Sequence, residues 1–397
     1  MKSLFVVLVI LVITSPSLCA RVSLVDVSAI SNVVTYGAKG DGQTDDSQAF
    51  LKAWQEVCGA NQGAATLLIP KAQTFLLQPV SFQGPCKPAT INIELQGTIT
   101  APKGVNAWRW SDIKDRKTWV QFLGISGLVI NGGGKVDGQG AAWWSISRRA
   151  SDRPTAIRFL NCQNLRLSSL THINSPRNHI SINTCNGVSI SDINIVAPND
   201  SPNTDGIDIA TSSNVLIQNS NIATGDDCIA IITGSTFVNI TGIFCGPGHG
   251  ISVGSLGQGG TNAKVEEVHV RNCTFTGTTN GARIKTWVGG SGFARKITFE
   301  DIMLVGTKNP VIIDQRYSDI PENNGAVQIS DVTYSDVRGT TITPNAVQLN
   351  CDSSIPCTNI VFDRINITSA NGQKTFGTCT NERATCTSSC NPIVSCR

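Results

Sequence analysis

Charge, methionine and tyrosine are all scarce in this chain of 397 residues. Asp, Glu, Lys and Arg together make up 15%, with 2 Met and 3 Tyr. Long amphipathic helices need charged solvent faces, so the scarcity argues against a helical bundle. An excess of one charge sign is missing too. The 31 basic residues against 28 acidic ones leave +3, too little for a nucleic-acid binder or a polybasic membrane protein. An anionic ligand is still compatible if cations are locally focused. Beyond the first twenty residues no apolar run is long enough to span a bilayer. What is present is an ordinary 40% of hydrophobic residues beside much Asn, Thr, Ser and 37 Gly. Such a chain can bury a sizeable core, which excludes disorder.

Residues 1–20 read as a secretory leader: Lys2, the apolar run Leu4 to Ile13, then small residues up to Ala20. The mature chain, 21–397, is therefore expected to be exported and soluble. Fourteen cysteines, thirteen of them beyond Cys19, fit an oxidising compartment and leave one thiol over. Cys379, Cys386, Cys390 and Cys396 crowd the C-terminus, and Cys351 and Cys357 are close neighbours. No CxxC pair or spaced histidines accompany them, so disulfides are expected rather than zinc. Asn199, Asn239, Asn272 and Asn366 each open a glycosylation sequon.

One segment reads as a helix: Ala49, Phe50, Ala53, Trp54 and Val57 recur at helical spacing after Thr44-Asp45-Asp46. Beyond it, short β-branched runs separated by Asn, Gly and Ser dominate. Val188, Val215, Val238, Val268 and Ile297 open such runs at intervals of 23 to 30 residues. Ile207-Asp208-Ile209, Ile229-Ala230-Ile231 and Ile251-Ser252-Val253 follow one another at 22 residues. A hairpin cannot return a strand in parallel register after such an interval, whereas one coil of a parallel β-helix can. A β-sandwich would show turns every 8–12 residues or so and no long repeat. The expected fold is all-β: a single-domain right-handed parallel β-helix over 21–397 with a short N-terminal capping helix.

The same alignment stacks polar groups. Two positions before each inward isoleucine stand Asp205, Asp227 and His249. A bend at Gly206 and Gly250 would turn them outward, and alternation sends Arg283 and Lys285 the opposite way from Ile284. Asp205, Asp226, Asp227, His249 and two cations then share one exterior face. Taken singly, Asn-Thr-Asp-Gly is a turn, Gly-Asp-Asp a solvated loop and Arg-Ile-Lys an exposed strand. Gly132-Gly133-Gly134 and Gly257-Gln258-Gly259-Gly260 lack the Lys-Ser/Thr of a phosphate cradle and are turns. His172 and His269 are expected at the surface. His179, on the preceding coil, either faces the cleft or is structural.

Asn203-Thr204-Asp205-Gly206, Gly225-Asp226-Asp227-Cys228, Gly248-His249-Gly250 and Arg283-Ile284-Lys285 occur in the order and spacing of one family. On them the chain resembles the polygalacturonases, glycoside hydrolase family 28. Tyr36-Gly37-Ala38-Lys39-Gly40-Asp41-Gly42 and Asp137-Gly138-Gln139-Gly140 resemble its plant members. Tyr317-Ser318 departs from the Tyr-Cys of many relatives, which leaves the C-terminal disulfide pattern open. The resemblance implies a right-handed β-helix that hydrolyses α-1,4 links of de-esterified galacturonan with inversion, in the plant cell wall. It implies no cofactor and no metal, a monomer, no nucleic acid or membrane, and wall inhibitor proteins as partners. Asp226 would be the general acid, its pKa raised by its neighbours; Asp205 and Asp227 would activate water, and His249 would tune the acid. Arg283 and Lys285, facing solvent, would bind the substrate carboxylate, with Tyr317 and Asn203 bordering the sugar. A Cys228–Cys245 disulfide would pin the catalytic strand. A pectate lyase would share the fold but hold calcium where these cations stand. Endo attack is favoured over exo, subject to the loops Ser255 to Ala263 and Ala142 to Pro154.

Overall fold

The computed structural model describes residues 29–396, apart from 62, 111–115, 147–149, 318–324 and 383. The expected leader lies outside the described residues. Short strands coil into a right-handed parallel β-helix, and twelve of the described strands form one sheet in strict chain order. Five of them carry the site: β1 (Ile180–Asn183), β2 (Ile207–Ala210), β3 (Ile229–Ile231), β4 (Ile251–Leu256) and β5 (Asn280–Thr286). Their register is the one the 22-residue repeat predicts. Ile207 pairs with Ile229 and Ile229 with Ile251, all parallel.

Two inward columns follow from that register. Ile180, Ile207, Ile229, Ile251 and Ala282 stack in one, and Ile182, Ile209, Ile231, Val253 and Ile284 in the other. β-branched side chains suit this arrangement, because each coil presents the same stiff shape to the next. The core formed this way is one continuous cluster from Val33 to Cys379. On the outer face, alternation stacks Arg158, Ser181, Asp208, Ala230, Ser252 and Arg283. That column, polar except at Ala230, is the floor on which the site stands.

The N-terminal helix α1 (Ser47–Gly59) covers the open end of the coil. Its buried Phe50 meets Phe75 edge-on at 5.4 Å, and Trp54 meets Phe82 at the same distance. Asp45, rather than Asp46, caps it by accepting from the Ser47 amide at 3.1 Å; the Asp46 carboxylate holds the Lys39 and Gly40 amides instead. No described helix is long and apolar enough to cross a membrane.

Disulfides join Cys58–Cys86, Cys228–Cys245, Cys351–Cys357 and Cys386–Cys390. The expected single spare thiol is corrected to three: Cys162, Cys185 and Cys273 are unpaired and buried among the described residues. All three lie against the stacked coils and behave as small apolar residues there. His172 also departs from expectation. It is fully buried in an interior column between Val136 and Ile195, and loss of water pushes its imidazole down to about 3. The four sequon asparagines are all exposed. Replacing Cys228 and Cys245 by serine reopens a link spanning 17 residues, worth about 3 kcal/mol in the chain-entropy account. Urea titration is expected to show a loss of that size.

Candidate active site

The acids emerge at the corners that lead into β2 and β3. Gly206 donates to the Asp227 carbonyl at 2.9 Å, His179 to that of Asp205 at 2.8 Å and His249 to that of Asp226 at 2.7 Å. The parallel ladder thus continues through the corners, and the acids stand on rigid backbone. At Gly206 a Cβ would lie 2.5 Å from the Cys228 carbonyl, and Gly250 adopts φ +81°. These two glycines make the bends that release Asp205 and His249 from the inward alternation.

Asp226 faces the cleft with its side chain 16% exposed. Its Oδ1 lies 2.9 Å from His249 Nδ1 and accepts the Asp227 amide at 2.8 Å, while Oδ2 accepts from Asn203 Nδ2 at 3.3 Å. Asp227 has no exposed surface. Its Oδ1 accepts from Arg283 Nη2 at 2.5 Å and Ser252 Oγ at 2.8 Å, and its Oδ2 from Lys285 Nζ at 2.7 Å. Arg283 Nε donates in turn to Ser252 Oγ at 2.8 Å. Lys285 Nζ also lies 5.2 Å from the centre of the Tyr317 ring, which packs edge-on to Trp287 and is 43% exposed.

Residues 58–390 match the family described as glycosyl hydrolases family 28. The chain belongs to that family. It is 49% identical to a probable polygalacturonase of Arabidopsis thaliana over 90% of this chain and 78% of that one. It is 39% identical to polygalacturonase-2 of Solanum lycopersicum over 89% and 78%. Among solved structures it is similar to an endo-xylogalacturonan hydrolase from Aspergillus tubingensis, with TM-score 0.78, 25% identity, and 91% of this chain and 100% of that one covered. A polygalacturonase from Erwinia carotovora shares the fold at TM-score 0.68 and 22% identity, over 90% and 97%.

In this family 28 chain, Lys285 and Arg283 are not the solvent-facing pair the sequence suggests. They are 7% and 8% exposed, drawn down onto Asp227. Burial pulls the Lys285 ammonium down, but the Asp227 charge overrides it and holds the group above its ordinary range. The acid expected to have a raised pKa is corrected likewise. Desolvation pushes Asp226 up, but the His249 hydrogen bond and charge outweigh it, and the carboxyl lies below the ordinary range. The rise falls instead on Asp205, held well up by burial and then by Asp208, Asp226 and Asp227. Asp226, Asp227 and His249 bring donor atoms within 4.8 Å of one another. Asp227 is already bound by two cations, however, which repel a metal from the same place.

His179 is fully buried, its Nδ1 3.1 Å from the Asp205 carbonyl, and burial pushes it down to about 4; it is structural. Three residues escaped sequence reasoning. Ser252 bridges Asp227 and Arg283. Arg153, fully buried, donates to the Pro202 carbonyl at 2.8 Å and to Asn203 Oδ1 at 2.5 Å, and so orients the amide that reaches Asp226. Asp208 accepts from Asn178 at 2.9 Å through Oδ2, while its buried Oδ1 has no hydrogen-bond partner among the described residues. Alternation places Ser252 and Asp208 outward, so their direction was legible; Arg153 lies in a loop with no motif.

Burial raises Asp208 to about 7 from 3.8. Between those values the folded chain keeps a proton that the unfolded chain has lost, so stability falls as pH rises through the window. Asp208→Asn removes that slope. The variant is expected to gain stability over the wild type on going from pH 4 to pH 8, by at most about 4 kcal/mol, read from denaturation at the two pH values.

Proposed function

We propose that this chain is an extracellular polygalacturonase that hydrolyses α-1,4 links of de-esterified galacturonan with inversion. The observation that carries the reading is the Asp226–His249 pair, set beside a carboxylate held by two cations. One proton shared between Asp226 Oδ1 and His249 Nδ1 supplies the general acid, which passes it to the glycosidic oxygen as the bond to the anomeric carbon breaks. Among the described residues Asp227 Oδ2 accepts from Lys285 alone, so, although the residue is closed to bulk solvent, a lone-pair direction is left for a water brought in with the sugar. Asp205 stands on the neighbouring coil with its carboxyl held well above the ordinary range. It therefore orients that water toward the opposite face of the sugar, while the Asp227 carboxylate takes the proton.

The Lys285, Arg283 and Tyr317 side of the cleft supplies the positive potential and the flat surface for the next uronic acid. Asn203 contributes through Asp226. The exposed sequons support an extracellular setting, and endo attack is part of the proposal. Purified protein is expected to release reducing ends from polygalacturonate, with oligomers of several sizes on early chromatograms. Free galacturonic acid alone from the first minutes would replace endo by exo action. No release at all would remove the assignment.

A further inference from the structure

The cleft holds more cations than the catalytic cluster uses. Arg283 and Lys285 are bound by Asp227, and Arg153 by Pro202 and Asn203. Arg177 differs. It is half-buried and makes no hydrogen bond or ion pair among the described residues. It immediately precedes Asn178, which is 3% exposed and fixed between Thr155 Oγ1 at 2.5 Å and Asp208 Oδ2 at 2.9 Å. The Arg177 charge therefore acts on Asp208 and on Arg153 across the same floor.

Register fixes where this is. Arg177 leads into β1, one coil before Asp205, whereas Arg283 and Lys285 lie on β5, four coil steps further along. At about 4.8 Å per step, the free guanidinium and the bound pair flank the acids from opposite ends. Asp208 feels this charge but is held by Asn178 instead, and no carboxylate among the described residues is in ion-pair contact with the guanidinium, so its fork is open to an anion. A polymer with one carboxylate per sugar provides one, in the planar geometry Arg grips with two parallel hydrogen bonds.

We propose that Arg177 binds a substrate carboxylate on the N-terminal side of the catalytic acids and thereby sets which bond of a bound oligomer is cut. The inference rests on the polygalacturonase reading of the cleft. Arg177 is thus a specificity-determining residue, since it touches a sugar distant from the reacting bond. Such a contact acts on ground state and transition state alike, so its loss raises KM and spares kcat.

The test compares wild type, Arg177→Gln and Arg177→Lys on polygalacturonate and on end-labelled hexagalacturonate. Arg177→Gln is expected to raise KM about ten- to a hundred-fold, the range of a charge-assisted hydrogen bond, with kcat unchanged. It is also expected to shift the cut positions along the hexamer. Arg177→Lys, which keeps the charge and loses the fork, is expected to recover part of the KM and the wild-type cut positions. A merely structural role, neutralising Asp208, would change the melting temperature and leave KM and cut positions alone. Wild-type KM and cut positions in Arg177→Gln, with the wild type active, overturn the inference only; an inactive wild type overturns the cleft reading itself.

Discussion

Asp226→Asn is expected to lower kcat on polygalacturonate by about three orders of magnitude or more, with KM and melting temperature close to wild type. The side chain keeps its shape and can still accept the Asp227 amide. It can no longer pass a proton from His249 Nδ1, 2.9 Å away, to a leaving oxygen. A positioned general acid contributes about a hundred- to ten-thousand-fold, and a neutral amide also disrupts the Asp205–Asp227 arrangement that aims the water. Stability is spared because Asp226 is partly exposed and, among the described residues, pairs with His249 alone. Steady-state kinetics beside a thermal melt checks both halves. Activity within tenfold of wild type would move the acid elsewhere.

Asp227→Asn is expected to be the most damaging single change for the fold. It leaves Arg283 and Lys285, 8% and 7% exposed, without their counter-charge. Removing one partner of a buried ion pair costs about 3–5 kcal/mol, and two cations depend on this carboxylate. Activity is lost with it. The alkaline limb gives an independent sign. Lys285 is raised above its ordinary 10.5 by Asp227, so its contribution is fully present below that pH and disappears as pH climbs through the raised value. Asp227→Asn should lack that alkaline loss. Adding Lys285→Met to Asp227→Asn should recover part of the stability by removing one stranded charge, and urea titration of single and double variants measures the coupling. The same geometry explains why Lys285→Met alone does not leave the fold untouched: the ammonium is buried on Asp227 and does not face solvent.

Much of this was legible from residue order. The 22-residue spacing of Ile207, Ile229 and Ile251 gave the stacking register because a parallel coil forces identical positions to coincide. Alternation gave the outward direction of Arg283 and Lys285, and the Asp-Asp-His stack gave the face. The distance of those cations from water was not legible, since it depends on where the Asp227 carboxylate points after the bend. The Asp226 shift was misjudged for a related reason. Like charges nearby argue for a raised pKa, but burial is what raises this carboxyl, and the His249 hydrogen bond and charge, with Lys285, outweigh it. His172 was misplaced because a lone histidine reads as polar, whereas its pairing with Val136 puts it inside. Arg153 was invisible because a loop residue carries no period.

The most direct test of the central claim is proton NMR of polygalacturonate hydrolysis by the wild-type chain, followed from the first turnovers. An α link cleaved by water from the opposite face must give a β reducing end first, with the α anomer growing only by mutarotation. The account predicts that order. Reducing ends that appear first as the α anomer would contradict it.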